Sequence, residues 1–193
     1  VRNGASFDNC EEYLKRFGST VHSVAFRRSW GDSVSTVTLV VRYCTNLCVL
    51  AMFYCDLCLC VDILKLSTLL RSIDITSDPQ SRHFVHWDSL ATHHLQIASI
   101  KLHCSSRDEE VILGMCDPLC VQRLRLASMT RIDWHTYVNL RSFGFYNSCR
   151  FHNDNVLTQI CTLCPWIVNL EVYCPESLID AMVVSAIPAL KQL

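Results

Sequence analysis

The sequence predicts an α/β solenoid, in which short parallel strands alternate with helical returns along the chain. A nine-residue motif, Leu-x-x-Leu-x-Leu-x-x-Cys or a close variant, recurs about once every two dozen residues. Apolar residues at helical spacing follow most copies. Because one strand with its return cannot bury its apolar face alone, we expect neighbouring units to stack into one continuous sheet.

The copies of the motif are aligned by their central apolar residues. These residues are Val24, Leu50, Ile73, Ile100, Leu124, Phe143, Leu170 and Leu193. Their spacings are 23–27 residues, except for 19 residues between Leu124 and Phe143. This period is typical of leucine-rich repeats. It predicts about seven to eight irregular repeats in a horseshoe arc, with a parallel concave sheet and convex helices.

Each predicted strand has a predicted helical return. The returns are expected over residues 34–44, 62–66, 84–90, 109–116, 132–138, 155–165 and 177–188. The return at 109–116 begins with Glu109 and Glu110, which suit the positive end of a helix dipole. The return at 132–138 is short and accounts for the spacing of 19 residues.

The repeats predict a single domain over residues 1–193, in which residues 1–16 are an N-terminal lead-in. Repeat arrays end in caps with a polar outer face. The segment 189–193 has no such character, and residue 1 is Val1. We therefore expect a fragment of a longer protein that lacks one or both caps.

Composition and charge argue against several partners. Half of the residues are hydrophobic and 18% are charged, which predicts a packed chain. A formal net charge of −1 gives no overall field that would favour nucleic acid or anionic lipid. Residues 47–61 are largely apolar, but a membrane-spanning helix needs about 20 such residues. Asp56 within them would cost about 2.5–3.5 kcal/mol at mid-bilayer. We expect neither a nucleic-acid nor a membrane partner.

The sequence contains no catalytic or nucleotide-binding motif of the G-x-S-x-G, H-E-x-x-H, P-loop or G-x-G-x-x-G type. We therefore predict that the chain is not an enzyme and uses no cofactor.

Thirteen cysteines are a high number, but the repeat explains several of them. Cys44 and Cys164 fall on returns, where a small apolar residue packs well. Reduced thiols, and with them a cytoplasmic or nuclear location, are expected. The Cys-x-x-Cys pairs at 55–58 and 161–164 lie about a hundred residues apart, too far to share a zinc ion in a stack of neighbours. His83 and His86 are interpreted as solvated helix residues, so no metal site is predicted.

The units resemble the cysteine-containing leucine-rich repeats found downstream of the F-box in F-box substrate receptors. Residues 157–172 match that family's helix, Cys-Pro and strand, and residues 41–50 match its cysteine followed by asparagine and leucine. The resemblance covers about residues 17–193. It implies the substrate receptor of an SCF-type ubiquitin ligase, with a protein target on the concave sheet. It also implies a ligase adaptor bound through an F-box upstream of this sequence.

Two alternatives remain open at this point. One is the repeat domain of an immune or signalling receptor with a nucleotide-binding switch. The other is a scaffold or GTPase-activating repeat protein. An upstream F-box would favour the receptor of a ligase, and an upstream P-loop would favour the nucleotide-binding receptor.

The residues that flank each central pair are expected to point out of the concave sheet. The predicted partner-binding residues are Phe53, Asp74, Lys101, His103, Arg123, Arg125, Tyr146, Glu171 and Tyr173. Lys101, His103, Arg123 and Arg125 are predicted to form one basic patch, with Tyr146 as an apolar wall. Such a patch suits an acidic or phosphorylated segment, because guanidinium groups bind such oxygens in a bidentate manner. Arg71 is expected on the convex side. The alternative is an ordinary solvated sheet face.

Overall fold

The computed structural model describes residues 7–27, 34–55, 63–64, 68–77, 95–128, 132–146, 159–160 and 162–172. Within these ranges the helices are α1 (Phe7–Phe17), α2 (Val34–Tyr43) and α3 (Ser106–Gly114). Short 3-10 turns span Gly18–Thr20, Pro118–Cys120 and Trp134–Thr136. The strands are β1 (Ser23–Arg27), β2 (Val49–Cys55), β3 (Ser72–Ser77), β4 (Ser99–His103), β5 (Arg123–Leu126), β6 (Ser142–Phe145) and β7 (Asn169–Val172).

The strands form one sheet in which order along the sheet equals order along the chain, and every neighbouring pair is parallel. The predicted α/β class with a parallel sheet is therefore confirmed. The register places the central apolar residues of successive motif copies opposite one another, from Val24 on β1 to Leu170 on β7.

The two faces of the sheet differ in burial. On β3 and β4 the inward side chains are buried and the residues between them are half-buried or exposed. Leu50, Leu124 and Phe143 have no exposed surface. All-parallel sheets usually have both faces covered. Among the described strand residues, those on one face are buried and many of those on the other reach solvent.

Several of the described helical segments lie where the sequence predicts returns, whereas α1 lies in the predicted lead-in. α2 matches the predicted return over 34–44, and the helical residues 63–64, 159–160 and 162–163 fall inside two others. α3 starts at Ser106, earlier than predicted, because the side chain of Ser105 caps it by accepting the N–H of Asp108 at 3.3 Å. The predicted returns at 84–90 and 177–188, and the motif copy that ends at Leu193, lie outside the described residues.

The short return after β5 is a single 3-10 turn, as its length in the sequence suggested. Trp134 in this turn is buried and meets the ring of Phe143 edge-on, with centroids 5.3 Å apart. One large aromatic thus covers the part of β6 that a longer helix would otherwise shield.

The predicted lead-in is in part a helix that seals the start of the sheet. Leu14 of α1 is buried in the core. The chain then turns at Gly18, where a Cβ would lie 2.6 Å from the carbonyl oxygen of Tyr43 at the end of α2. The absence of a side chain at residue 18 lets the two backbones touch.

Candidate protein-binding face

The partly exposed face of the sheet, called the open face below, is built from three rows of residues in register. The middle row contains Ala25, Ala51, Asp74, Lys101, Arg125, Gly144 and Glu171. A second row contains Arg27, Phe53, Thr76 and His103. The third contains Ser23, Val49, Ser72, Ser99, Arg123, Ser142 and Asn169. In-register parallel pairing brings these side chains together from distant parts of the chain.

Asp74 and Lys101 form an ion pair between neighbouring strands. The Lys101 ammonium donates to Oδ2 of Asp74 at 2.9 Å. Both side chains keep partial exposure, 42% for Lys101 and 28% for Asp74. An ion pair this exposed is worth about 1 kcal/mol or less. The second carboxylate oxygen of Asp74, Oδ1, is buried and has no hydrogen-bond partner.

Arg125 and Glu171 form a second pair that crosses an intervening strand. The guanidinium of Arg125 reaches over β6 and donates to Oε1 of Glu171 at 2.5 Å. It can do so because the residue beneath it is Gly144, where a Cβ would lie 2.8 Å from Cγ of Arg125. The phenol of Tyr146 donates to Oε2 of Glu171 at 3.2 Å, and the amide of Asn169 donates to Oε1 at 3.3 Å.

These two pairs change the electrostatics predicted for the basic patch. Lys101 and Arg125 each already have an acid partner on the same face, and Arg123 and His103 are exposed. From Asp74 to Glu171, the side chains of the middle row are therefore negative, positive, positive, neutral and negative in charge. Two of the cations in the predicted patch are therefore paired with acids, and the patch is not uniformly basic.

The β1–β2 end of the open face is more apolar. Val49 is 39% exposed, and Ala25 and Ala51 add little polarity beside it. The Arg27 guanidinium lies 5.9 Å from the centre of the half-buried Phe53 ring, a cation–π contact. Tyr54 next to it is exposed at a strand irregularity and has φ 55°, which few non-glycine residues adopt.

The structure locates eight of the nine predicted partner-binding residues. Phe53, Asp74, Lys101, His103, Arg123, Arg125 and Glu171 are on the strands of the open face, and Tyr146 directly follows β6. Tyr173 lies outside the described residues. The expectation for Arg71 is wrong: it lies in the turn that enters β3, and its guanidinium donates to the carbonyls of Leu70 and Gln96 at 3.1 and 3.3 Å. Motif spacing alone does not separate a helix from the turn that follows it.

Gly144 is a residue that the sequence interpretation did not single out. The available signal was a glycine at a motif position that elsewhere carries a side chain, on the strand between Arg125 and Glu171. The glycine provides the path by which an arginine and a glutamate two strands apart meet.

The surroundings of Glu109 also differ from expectation. The sequence predicted a favourable interaction with the helix dipole, and the structure shows in addition that the side chain is buried. Its carboxylate accepts the N–H of Ala127 at 2.9 Å and the N–H and hydroxyl of Ser128 at 3.1 and 2.6 Å. Burial raises the pKa of this carboxyl above its ordinary value, although the hydrogen bonds from Ser128 and Ala127 oppose the rise. Glu109 thus holds the chain where it leaves β5.

The described ranges hold no group of three or more histidine, cysteine or acidic side chains arranged to bind a metal ion. Nor do they include a helix with the length and apolar character needed to cross a membrane. The paired cysteines at 55–58 and 161–164 and the histidines at 83–94 fall wholly or in part outside these ranges.

Comparison with known proteins gives little similarity. No protein-family model matches the chain, and no curated protein matches it. A solved structure described as "Leiomodin-1 Actin-Binding Site 2 (ABS2)" aligns over 96% of this chain and 90% of that chain, with 11% sequence identity and a TM-score of 0.35. A likeness at this level carries no argument about fold or function.

Proposed function

We propose that the chain is a protein-recognition module that binds its partner protein on the open face. The observation that carries the proposal is the difference in burial between the two sides of one seven-stranded parallel sheet. One side is sealed, and the other presents aligned rows of half-buried and exposed side chains. Arg and Phe stand in those rows and Tyr146 directly follows β6, and such residues are enriched at protein interfaces.

The two ion pairs suggest the kind of partner. Both pairs stay partly exposed, so a partner can approach charges of both signs that are already held in place. Complementary charges set the orientation and specificity of a complex more than its affinity. The apolar end around Val49 and Phe53 offers the surface whose burial contributes most of the affinity. The partner is therefore expected to carry an apolar anchor beside a segment of mixed charge.

A finer proposal follows from the resemblance of the units to F-box substrate receptors. In that function the module is a leucine-rich-repeat domain, catalyses nothing and positions a protein target for ubiquitin transfer in the cytoplasm or nucleus. Its support is the sequence of residues 41–50 and 157–172. Reading the coding sequence upstream of Val1 tests this finer proposal: an encoded F-box supports it, and a P-loop favours a nucleotide-binding receptor.

The experiment for the open face uses a charge swap. In the double variant Arg125→Glu/Glu171→Arg, the ion pair over Gly144 is retained and its polarity is reversed, so the fold is expected to keep its melting temperature. Proteins captured by the immobilised wild-type chain, identified by quantitative mass spectrometry, should be lost with this variant. Arg125→Glu alone is a poorer test, because it sets two like charges against each other and also destabilises the sheet.

Arg107→Glu is the matched control, because Arg107 is exposed on α3 and lies off the open face. This variant should capture the same proteins as the wild type. Loss of capture by Arg107→Glu, with full capture by the charge swap, would show that the partner binds the helical side of the molecule.

A further inference from the structure

A second exposed surface lies at the edge of the sheet where the chain enters its strands. Most of the strands are preceded by a tight turn, and the residues that enter successive strands are hydrogen-bonded in the same way. The N–H of Arg141 donates to the carbonyl of Gln122 at 2.9 Å, and the N–H of Val168 donates to the carbonyl of Arg141 at 2.8 Å. The amide side chain of Asn139 also donates to the carbonyl of Leu119 at 2.8 Å. Hydrogen bonds thus connect these successive turns to one another.

Three consecutive turns in this row each expose a bulky apolar side chain. Leu119 before β5 is 57% exposed, Val138 before β6 is 43% exposed, and Trp166 before β7 is 61% exposed. We call these three residues the turn-edge strip. Since neighbouring strands lie about 4.8 Å apart, the strip spans roughly 10 Å. Single exposed apolar residues need no explanation, but three in adjacent turns mark a contact surface.

The charges around the strip are mainly positive. Arg71, Arg123 and Arg141 lie at or beside the entries to β3, β5 and β6, and all three are exposed. The described turns before β5 and β6 contain two acids, the exposed Asp133 and Asp117. Asp117 is half-buried, and its carboxylate accepts the N–H of Leu119 at 3.0 Å and the thiol of Cys120 at 3.5 Å. Arginine thus predominates among the exposed charges of this edge.

We propose that the turn-edge strip is a second binding surface, whose occupant is a short acidic segment of a partner protein with bulky apolar residues. The apolar residues of that segment cover Leu119, Val138 and Trp166, and its carboxylates pair with Arg123 and Arg141. Charge complementarity selects this occupant over a basic or purely apolar one. Trp and Arg, which supply the two kinds of contact, are the residue types most enriched among binding hot spots.

The surface is distinct from the open face and does not depend on it. The strip lies in turn residues that precede the strands, and the open face is made of alternate residues within them. Arg123, the first residue of β5, is shared between the two surfaces. For that reason Arg123 is left unchanged in the test.

The test measures binding of a fluorescein-labelled synthetic peptide in which Glu alternates with Leu and Phe, by fluorescence anisotropy on the full chain. Two matched peptides serve as probes, one with Lys for every Glu and one with Ser for every Leu and Phe. The acidic apolar peptide should bind more tightly than both. Trp166→Ala and Arg141→Glu should each weaken its binding about tenfold, the size of a hot-spot loss of about 1.4 kcal/mol.

Control measurements separate this surface from its alternatives. Thermal melting confirms that Trp166→Ala and Arg141→Glu are folded, and Arg125→Glu/Glu171→Arg should bind the peptide as the wild type does. Equal binding of the acidic and lysine peptides, or equal binding by wild type and both strip variants, would overturn the proposal. Concentration-dependent dimerisation that Trp166→Ala abolishes would also overturn it, because the occupant would then be a second copy of the chain.

Discussion

At the scale of single residues, burial on the sealed side of the sheet decides which substitutions the fold tolerates. Leu124 and Arg123 are sequence neighbours on β5, yet Leu124 has no exposed surface and Arg123 is exposed. Side chains alternate between the two faces along a strand, so adjacent positions meet opposite surroundings.

Leu124→Asp is expected to unfold the centre of the molecule. An unpaired buried charge costs about 3–5 kcal/mol, a large part of the stability of a domain this size. Circular dichroism and thermal melting measure the loss. The matched variant Arg123→Asp introduces the same side chain one residue earlier, and its melting temperature should stay close to that of the wild type. If Leu124→Asp melts like the wild type, the inward assignment of the motif is wrong.

Glu109→Gln tests the buried carboxylate that holds the residues after β5. Glutamine keeps the shape but can offer only one acceptor oxygen to the N–H groups of Ala127 and Ser128 and the hydroxyl of Ser128. Leaving a buried donor unpaired costs about 1–3 kcal/mol. Chemical denaturation at neutral pH should show a loss of this size. Exposed Glu110→Gln on the same helix is the control.

The stabilities of the wild type and of Glu109→Gln should also depend differently on pH. Because the folded state raises the pKa of Glu109 above 4.5, it binds that proton more tightly than the unfolded chain does. The resulting stability is fully present below the unfolded pKa and is lost as pH rises through the folded pKa. The free energy of unfolding of the wild type relative to Glu109→Gln should therefore fall as pH increases upward from 4.5. A difference that rises with pH would contradict the inferred shift.

At the scale of elements, the helices and turns differ in how the sequence specifies them. α3 has a serine cap and acidic residues in its first turn, so local signals define its start. The contact between the ends of α1 and α2 depends on Gly18 and Tyr43, which are far apart in the sequence. Because Gly18 has no side chain, its backbone can touch the backbone of Tyr43. No local pattern encodes such a contact.

Gly18→Ala is expected to push the α1 end away from α2. Its Cβ would stand 2.6 Å from the Tyr43 carbonyl oxygen, a backbone atom that cannot rotate aside. Overpacking of this kind costs about 1–3 kcal/mol. The control is Gly114→Ala at the end of α3, where a Cβ meets nothing within 4 Å and a helical alanine gains about 0.5–1 kcal/mol. Equal denaturation midpoints for both variants would rule out the close approach at Gly18.

At the scale of the whole molecule, the burial and the pKa of the cysteine thiols show how the core excludes water. Among the cysteines in the described ranges, Cys10, Cys44, Cys48, Cys104, Cys116 and Cys120 are free thiols. Burial raises the pKa of Cys104 and of Cys116 to about 12. These two thiols are thus protonated at neutral pH as well as hidden from reagents.

Alkylation of the folded protein at neutral pH should therefore follow position in the fold. Half-buried Cys48 should be modified well before Cys104 and Cys116, and denaturant should abolish the difference. Mass spectrometry of peptides after timed iodoacetamide treatment measures each rate. Early modification of Cys116 would show that the helical side of the sheet opens in solution.

A titration of the denatured protein without reductant should find most of the 13 cysteines free.

The sequence by itself determined the strand positions, the parallel α/β class and which residues of each strand face inward. These properties depend on a period of two within strands and on a recurring motif along the chain, both of which are local. Leu50, Leu124 and Leu170 were predicted from these patterns to be buried, and their exposed fractions are 0%, 0% and 3%.

Only the tertiary structure decided the partners of the open face. The contacts of Lys101 with Asp74 and of Arg125 with Glu171 join residues 27 and 46 positions apart in the sequence. A sequence shows which residue types share a face, but a side chain's rotamer and reach depend on neighbouring strands. Gly144 left the space that Arg125 crosses to meet Glu171, so that this cation of the predicted basic patch is paired with an acid. The physical reason is that ion pairs depend on distances of a few ångströms between atoms, which only the packed strands set.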